Sequence, residues 1–446
     1  MTSPATDSTS SPSRPPTALP DSPTGAGAGD HRHDVLVIGG GPAGAATAYW
    51  LACAGHDVVV VEKKVFPRVK TCGDGLTPRA VHQLDEMGLG ERLTQFHSYD
   101  GLRTVAHGMT LELAWPEHPI YPSHGYVVRR CDLDTMVAEH AVKAGASLIQ
   151  GAEAVGPIVR DGLVVGAAVK HKESGHVEEI HARYVVIADG ANSRFGRALG
   201  TNRNRGYPQG MAIRGYFASP ISDTPWIESA LDIRDRNGNS LPGYGWIFPL
   251  GDGEINVGIG LLSTFRDFKS VNTTHILEEF VATAPDYWGI SADTATSVPT
   301  GGRLPMGGSV QPKVGPTWIV VGDAAGSINP FNGEGIDYAY ETGRMAADLL
   351  DEALRTGDGM ALQRYPQLLA DEYGLYFRVA RLFAIVIGQP ALMKELTRVG
   401  MHSRTLMDWV LRIMANLLRD DELGPAEAVY RTVAQLAKVI PEPSAA

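Results

Sequence analysis

The stretch Asp34-Val-Leu-Val-Ile38-Gly39-Gly40-Gly41-Pro42-Ala43-Gly44 decides the fold. Its first five residues form a short apolar run of the kind buried on both faces of a parallel sheet. Three glycines follow at G-x-G-x-x-G spacing, and Ala45 to Cys53 reads as a helix of small residues. Asp57-Val-Val-Val-Val61 is then a second buried strand, ending at Glu62. This is a β-α-β unit of about 30 residues, the size expected of a dinucleotide-binding fold. Gly39 allows the tight turn, and Gly41 lets backbone N–H groups approach a pyrophosphate. With Ala43 beside it, Gly44 lets helix and strand pack closely. Glu62 stands 18 residues beyond Gly44 and can accept hydrogen bonds from an adenosine ribose.

The rest of the chain bounds what that unit can serve. Its 446 residues suggest two or three domains with ample core. A formal net charge of -11 argues against a nucleic-acid partner, which would need a basic face. No apolar run reaches the roughly 18 residues that span a bilayer. Three cysteines, Cys53, Cys72 and Cys131, cannot make a disulfide framework, so a cytoplasmic protein is expected. Cys53, in the small-residue helix, reads as core. His82, His107, His124 and His140 show no metal-ligand spacing, and no metal is expected. Residues 1–30 hold six prolines and eleven Ser/Thr with almost nothing to bury, a composition that predicts a disordered tail.

Ala154 to His181 reads as three short strands, and Tyr184 to Ala188 as a further buried one. Residues 206–299 alternate in the β manner, as in Glu254-Ile-Asn-Val-Gly-Ile-Gly-Leu261, and predict an antiparallel domain. Trp318 to Gly322 returns to the buried parallel pattern, so the first domain is interrupted by the second. From Tyr373 to Leu418 the pattern is helical and apolar, and between Arg378 and Arg419 seven Lys/Arg face only two Asp/Glu.

Two more segments bear on the cofactor: Ala188-Asp189-Gly190-Ala191-Asn192-Ser193, and Gly322-Asp323-Ala324-Ala325-Gly326 followed by Gly333-Glu334-Gly335-Ile336. Through them the chain resembles the FAD flavoproteins of the p-hydroxybenzoate hydroxylase fold. The resemblance implies that Asp323 bonds the ribityl chain and that backbone at Gly335 and Ile336 lies along the flavin ring. It also implies that Arg130 reaches FAD. No second G-x-G-x-x-G is present, so no separate nicotinamide domain is expected.

Three stretches narrow the likeness. They are Phe66-Pro-Arg-Val-Lys70-Thr-Cys72-Gly73-Asp74-Gly75-Leu-Thr-Pro-Arg79, Leu241-Pro-Gly-Tyr244-Gly-Trp246-Ile-Phe248-Pro249, and Asn329-Pro-Phe331-Asn332-Gly333-Glu334-Gly335. On them the chain is similar to the geranylgeranyl reductase family, nearest to its actinobacterial menaquinone-reducing branch. The implied architecture is α/β: a discontinuous Rossmann-like FAD-binding domain (31–100, 129–205, 300–370), an inserted antiparallel-sheet substrate domain (101–128, 206–299), and a C-terminal helical region (371–440). The implied reaction saturates an isolated C=C bond of a prenyl chain, a hydride from reduced flavin going to one carbon and a proton to the other. The substrate is then a prenyl lipid or quinone, and the electron donor is not identified by any motif.

Tyr244, Trp246 and Phe248 alternate along a strand and share one face. That face suits the wall of a prenyl site and can stabilise a transient cation, although a plain aromatic core has the same pattern. Cys72, with Gly73, lies in the loop that the family places at the flavin. Its thiol can contact the ring or relay the proton, or simply fill the loop. Cys72, Tyr244 and Trp246 are the catalytic candidates, and Tyr244, Trp246 and Phe248 the substrate-binding ones. A flavin-dependent halogenase shares part of the aromatic motif but differs at its first and fifth positions. Aromatic hydroxylases of this fold often carry His where Gly326 stands. An electron-shuttling flavoprotein without catalysis is a third alternative. The basic, apolar run from Arg378 to Arg419 predicts docking on an anionic membrane surface, at the inner face of the cell membrane.

Overall fold

The computed structural model describes residues 32–440 except 266, 267, 269, 270, 420, 422 and 423. The tail expected over residues 1–30 lies outside the described residues. Five parallel strands form the cofactor-side sheet in the spatial order Ser147–Gln150, Val58–Glu62, Arg32–Ile38, Val177–Ile187 and Trp318–Val320. Val35 to Ile38 and Val58 to Val61 are buried on both faces, which is why they read as unbroken apolar runs. Val177–Ile187 is one continuous strand where two were expected. Its first half pairs antiparallel with Leu163–His171, and its second half is parallel to Arg32–Ile38 and Trp318–Val320. No turn residue separates His181 from Tyr184, so nothing breaks the strand there.

The helix Pro42–Cys53 crosses from the first strand to the second, with Pro42 in its first turn and Gly41 as an extended N-cap. Gly39 has φ +102°, in the glycine-favoured region. A Cβ on Gly44 would stand 1.9 Å from the Gly39 carbonyl oxygen, and one on Gly39 would stand 2.4 Å from that of Ala188. The long helix Ile336–Thr356 packs across Pro42–Cys53 equally closely. A Cβ on Gly343 would lie 2.7 Å from the Ala43 carbonyl, and Thr47 Oγ1 donates to the Gly343 carbonyl at 3.1 Å.

The substrate-side sheet has seven strands, in the order Thr300–Pro305, Gln209–Ala218, Glu254–Leu262, Gly243–Pro249, Trp226–Ala230, Gly101–Ala106 and Met109–Ala114. All pairs are antiparallel except Trp226–Ala230 with Gly101–Ala106. Two segments lie across the expected boundaries. Thr300–Pro305, expected with the cofactor domain, extends this sheet by pairing with Gln209–Arg214. Gly125–Val127, expected with the substrate domain, pairs with Gly75–Leu76 and His97–Tyr99. Both segments are glycine-bearing and weakly patterned, so their sheets are set by partners distant in sequence.

The C-terminal region comprises Leu375–Ile387, Pro390–Met401, Arg404–Met414 and Pro425–Val439. Among the described residues no single helix is long and apolar enough to cross a membrane. Two expectations fail locally. Cys53, read as core, is exposed, because it is the last residue of its helix and overhangs the sheet. Arg381, counted with the basic surface, is buried. It donates Nη1 to the Gly307 carbonyl at 2.7 Å and lies 4.2 Å over the Tyr207 ring.

The approach of Gly44 to Gly39 sets a test. Gly44→Ala must part strand from helix and is expected to cost about 3 kcal/mol, with loss of bound flavin. Gly156→Ala adds a Cβ with nothing within 4 Å and should stay within about 0.5 kcal/mol of the parent. Thermal denaturation and flavin content of the two variants check both values.

Candidate active site

The turn after the first strand is tied to the second strand through Glu62. The Gly40 N–H donates to Glu62 Oε2 at 2.9 Å, and the Lys64 N–H donates to Oε1 at 3.0 Å. Glu62 is buried where the two strands end, beside the N-terminus of Pro42–Cys53. Arg68 completes this corner and was not singled out by the sequence. Its Nη2 is 3.5 Å from where a Gly41 Cβ would be, and it pairs with Asp134 at 2.9 Å and Glu62 at 3.5 Å. Arg68 Nε is buried without a hydrogen-bond partner, as is Asp189 Oδ1.

Arg130 is locked rather than free. Its Nε and Nη2 reach Asp134 Oδ1 and Oδ2 at 2.7 and 2.9 Å, and the Cys72 thiol is its other neighbour. Asp323 lies against the start of the long helix: a Cβ on Gly335 would be 3.5 Å from Asp323 Oδ1 and 3.0 Å from Ile328. Burial pushes the Asp323 carboxyl up, and the Lys70 and Arg130 charges oppose that. Ala43 and Ile336 are buried, and a Cβ on Gly322 would come within 2.8 Å of the Ala43 methyl.

These features fit FAD. A bare backbone turn faces a guanidinium at a helix N-terminus, as a pyrophosphate requires. The orphaned buried atoms of Arg68 and Asp189 await partners. Asp323 beside side-chain-free Gly335 leaves room for a flat ring next to backbone.

The second half of the site is organised by Asp74, which sequence reading quoted within its motif but gave no role. Asp74 is fully buried and has φ +67°. Its Oδ1 accepts the Arg130 backbone N–H at 3.2 Å, and its Oδ2 accepts Tyr216 OH at 2.6 Å and Asn256 Nδ2 at 2.8 Å. Burial pushes the Asp74 carboxyl up, while Tyr216, Asn256, Arg214 and Arg130 pull it back. Asn256 Nδ2 also donates to the Cys72 carbonyl at 2.9 Å, and Trp246 Nε1 donates to Asn256 Oδ1 at 2.9 Å. One buried network therefore joins the Cys72 loop to three strands of the substrate-side sheet.

Tyr244, Trp246 and Phe248 do share a face, with ring centroids 5.9 and 6.2 Å apart. That face meets the Cys72 loop directly. A Cβ on Gly73 or Gly75 would stand 3.0 Å from the Phe248 ring, so neither position has room for a side chain. Trp246 is buried, and its indole covers Gly258, where a Cβ would lie 2.2 Å away. Tyr244 OH donates to the Asn332 carbonyl at 2.5 Å, joining the aromatic strand to the loop before the long helix. Burial pushes the Cys72 thiol above its usual range, with Arg130 opposing less strongly, so the thiol is neutral at pH 7.

The same loop is held from the C-terminal side. The Met414 carbonyl, at the end of Arg404–Met414, accepts Asn329 Nδ2 at 3.0 Å, Asn332 Nδ2 at 3.2 Å and Tyr376 OH at 3.0 Å. The helical region thus closes one side of the site, a contact that helical periodicity alone does not reveal.

Comparison with known proteins agrees with this geometry. A family model described as FAD binding domain matches residues 32–225. The chain is 40% identical over 419 residues to a menaquinone reductase of Mycobacterium tuberculosis, covering 92% of this chain and 98% of that one. It is 30% identical over 357 residues to a digeranylgeranylglycerophospholipid reductase of Methanosphaera stadtmanae, covering 77% and 85%. A geranylgeranyl bacteriochlorophyll reductase-like structure from Thermoplasma acidophilum matches with TM-score 0.72 at 22% identity, over 90% of this chain and 99% of that one. A flavin-dependent brominase matches with TM-score 0.69 at 20% identity, over 92% and 99%. At these identities the two structures establish the fold alone, whereas the two reductases at 30% and 40% identity establish kinship. The chain belongs to the geranylgeranyl reductase family, FAD-dependent oxidoreductases that reduce prenyl chains.

Proposed function

We propose that this reductase saturates a double bond in the prenyl side chain of menaquinone. The observation that carries the substrate is the 40% identity to a menaquinone reductase across 98% of that protein. The Tyr244-Trp246-Phe248 face beside Cys72 supports a prenyl chain as the group bound. The turn Gly39–Gly44 with Arg68 would hold the FAD pyrophosphate, Glu62 the adenosine ribose and Asp323 the ribityl chain, and Gly335, Ile336 and Arg130 would hold the flavin. Bound FAD, once reduced, supplies the hydride. The aromatic face excludes water and holds the alkene flat, and its ring quadrupoles stabilise positive charge developing at the more substituted carbon. Cys72, whose thiol is neutral, lies on that side of the site and positions the groups that react there. Asp74 and Asn256 hold Cys72 and Trp246 in fixed relation.

We also propose that the protein works at the cytoplasmic face of the membrane, where menaquinone resides. At the end of Leu375–Ile387, Ile385 and Val386 are exposed, as are Leu392, Leu396 and Val399 on Pro390–Met401, with exposed Lys394 and Arg404 alongside and Arg398 paired to Glu395. Apolar side chains flanked by cations suit the boundary of an anionic leaflet, where each basic residue contributes about 1 kcal/mol.

Four outcomes are expected. Dithionite-reduced holoenzyme offered menaquinone, geranylgeranyl diphosphate and a geranylgeranyl lipid should yield menaquinone heavier by two hydrogens in mass spectra; reduction of the other substrates alone would overturn the assignment. Cys72→Ser should keep FAD and fold while slowing single-turnover alkene reduction by about 100-fold, and unchanged turnover would return Cys72 to packing. Trp246→Phe leaves Asn256 Oδ1 without its donor and should cost about 1–2 kcal/mol in thermal denaturation with flavin retained. For the membrane, sedimentation with anionic vesicles should weaken in salt and in Lys394→Glu/Arg404→Glu. Equal binding to neutral vesicles would count against the docking face.

A further inference from the structure

Asp337 and Glu341, four residues apart in the first turns of the long helix, share one face of it, and Glu334 lies in the loop just before the helix. A single guanidinium lies beside the two helix carboxyls. Arg79 Nη2 donates to Glu341 Oε1 and Oε2 at 2.7 and 2.8 Å, while Arg79 Nε stands 3.7 Å from Asp337 Oδ2. Arg79 Nη1 is taken by Tyr121 OH at 2.8 Å and the Asn416 carbonyl at 3.2 Å. Tyr373 OH donates to Glu341 Oε2 at 2.6 Å, completing that carboxylate's partners.

The other two carboxyls are differently placed. Asp337 is fully buried, and neither of its oxygens has a hydrogen-bond partner. Glu334 receives only neutral donors, the Thr77 hydroxyl and Asn332 Nδ2. The titratable groups facing the pair from neighbouring elements are Arg79, Glu341 and the phenols of Tyr99, Tyr121, Tyr244, Tyr338 and Tyr376. All five phenols are pushed up by burial and remain neutral, so Arg79 is the one positive charge among them. A buried carboxylate without a donor takes up a proton rather than bear the cost of an unsolvated charge. Burial pushes Glu334 up to about 7, and burial together with the Glu334 and Glu341 charges pushes Asp337 well above the usual carboxylate range.

We propose that Glu334 and Asp337 form the proton store of this site, with Glu334, on the loop that receives Tyr244 OH, delivering the proton that completes alkene reduction. Glu334 immediately precedes Gly335, and a Cβ on Gly333, just before it, would stand 3.8 Å from Tyr244 OH. The balance is one proton and one hydride per double bond. The alkene π pair takes the Glu334 carboxyl proton at one carbon, and the hydride of the reduced flavin forms the C–H bond at the other. Glu334 is left as a carboxylate, takes the proton of Asp337 in the first turn of the helix, and the pair regains a proton from solvent. The delivery step rests on the prenyl-reductase reading; the stored proton does not.

The test uses FAD-loaded protein and two readouts. Infrared spectra should contain the carbonyl stretch of a neutral carboxylic acid that shifts in heavy water and fades as pH rises through about 7. Glu334→Gln should remove that component, whereas Asp337→Asn should retain it. Single-turnover reduction of menaquinone should be fast below pH 7 and fall about tenfold per unit above it, because the raised carboxyl loses its proton there. In Glu334→Gln it should be slower by about 100-fold and lose that pH dependence, whereas a purely structural glutamate would leave the profile in place. Persistence of the infrared component in both variants, or a parental pH profile in Glu334→Gln, overturns the proposal. Because the infrared band needs no substrate, its loss in Glu334→Gln supports the store even in a chain that reduces no prenyl alkene.

Discussion

A carboxylate fully removed from water is stable only while its hydrogen bonds are complete, and Asp74 places the whole site under that condition. Its three donors come from three places: the backbone at the start of the helix Arg130–Lys143, Tyr216 on one strand, and Asn256 on another. None can shift without leaving buried charge uncompensated, which costs several kcal/mol. Since Asn256 also holds the Cys72 carbonyl and the Trp246 indole, the same condition fixes the thiol loop against the aromatic strand. The cofactor-side and substrate-side halves of the molecule meet through this buried carboxyl as well as through the bond from Tyr244 to the Asn332 carbonyl.

Around it, packing and polarity divide the work. Phe248 lies so close to Gly73 and Gly75 that the loop can pass only as bare backbone, which brings it directly under the aromatic face. Trp246 contributes area to that face while its one polar atom is satisfied inward, so the surface offered to a substrate is apolar. An isolated alkene offers no carbonyl to grip, and a dry, flat, electron-rich wall is what remains to orient it and tolerate positive charge. The strand's opposite face serves the fold. Ile247 is buried in the core beneath the helix Thr273–Thr283, and a Cβ on Gly245 would stand 2.5 Å from the Phe280 ring.

The C-terminal helices are part of the site rather than an appendage. Three side-chain donors converge on the Met414 carbonyl at a helix end, where carbonyls lack intrahelical partners. Asn332, one of those donors, also presents its own carbonyl to Tyr244. A chain of hydrogen bonds thus runs from the helical region through the loop before Gly335 to the aromatic strand. The neighbouring helix Pro390–Met401 carries exposed apolar and basic side chains, so that surface and the loop before Gly335 belong to one packed unit.

What could be read from the sequence alone was what short-range geometry dictates. The glycine turn at 39–44 was legible because strand, turn and helix touch within a dozen residues, and a Cβ at Gly44 collides with a carbonyl five residues earlier. The shared face of Tyr244, Trp246 and Phe248 followed from strand periodicity, and the two further glycine loops from their motifs. Tertiary structure decided everything that depends on which distant segment supplies the partner. Periodicity marked Cys53 and Arg381 by their surroundings in sequence, yet a helix end overhangs the first and a loop carbonyl captures the second. Nothing local distinguishes Tyr216 or Asn256 from other polar strand residues, or Asp337 from a solvated helix carboxylate. Their roles arise when residues 74, 130, 216 and 256, or 79, 337 and 341, meet in the folded chain. Sequence spacing sets the direction a side chain takes from its own backbone; the charge, hydrogen bonds and dryness it meets there are properties of the folded neighbourhood.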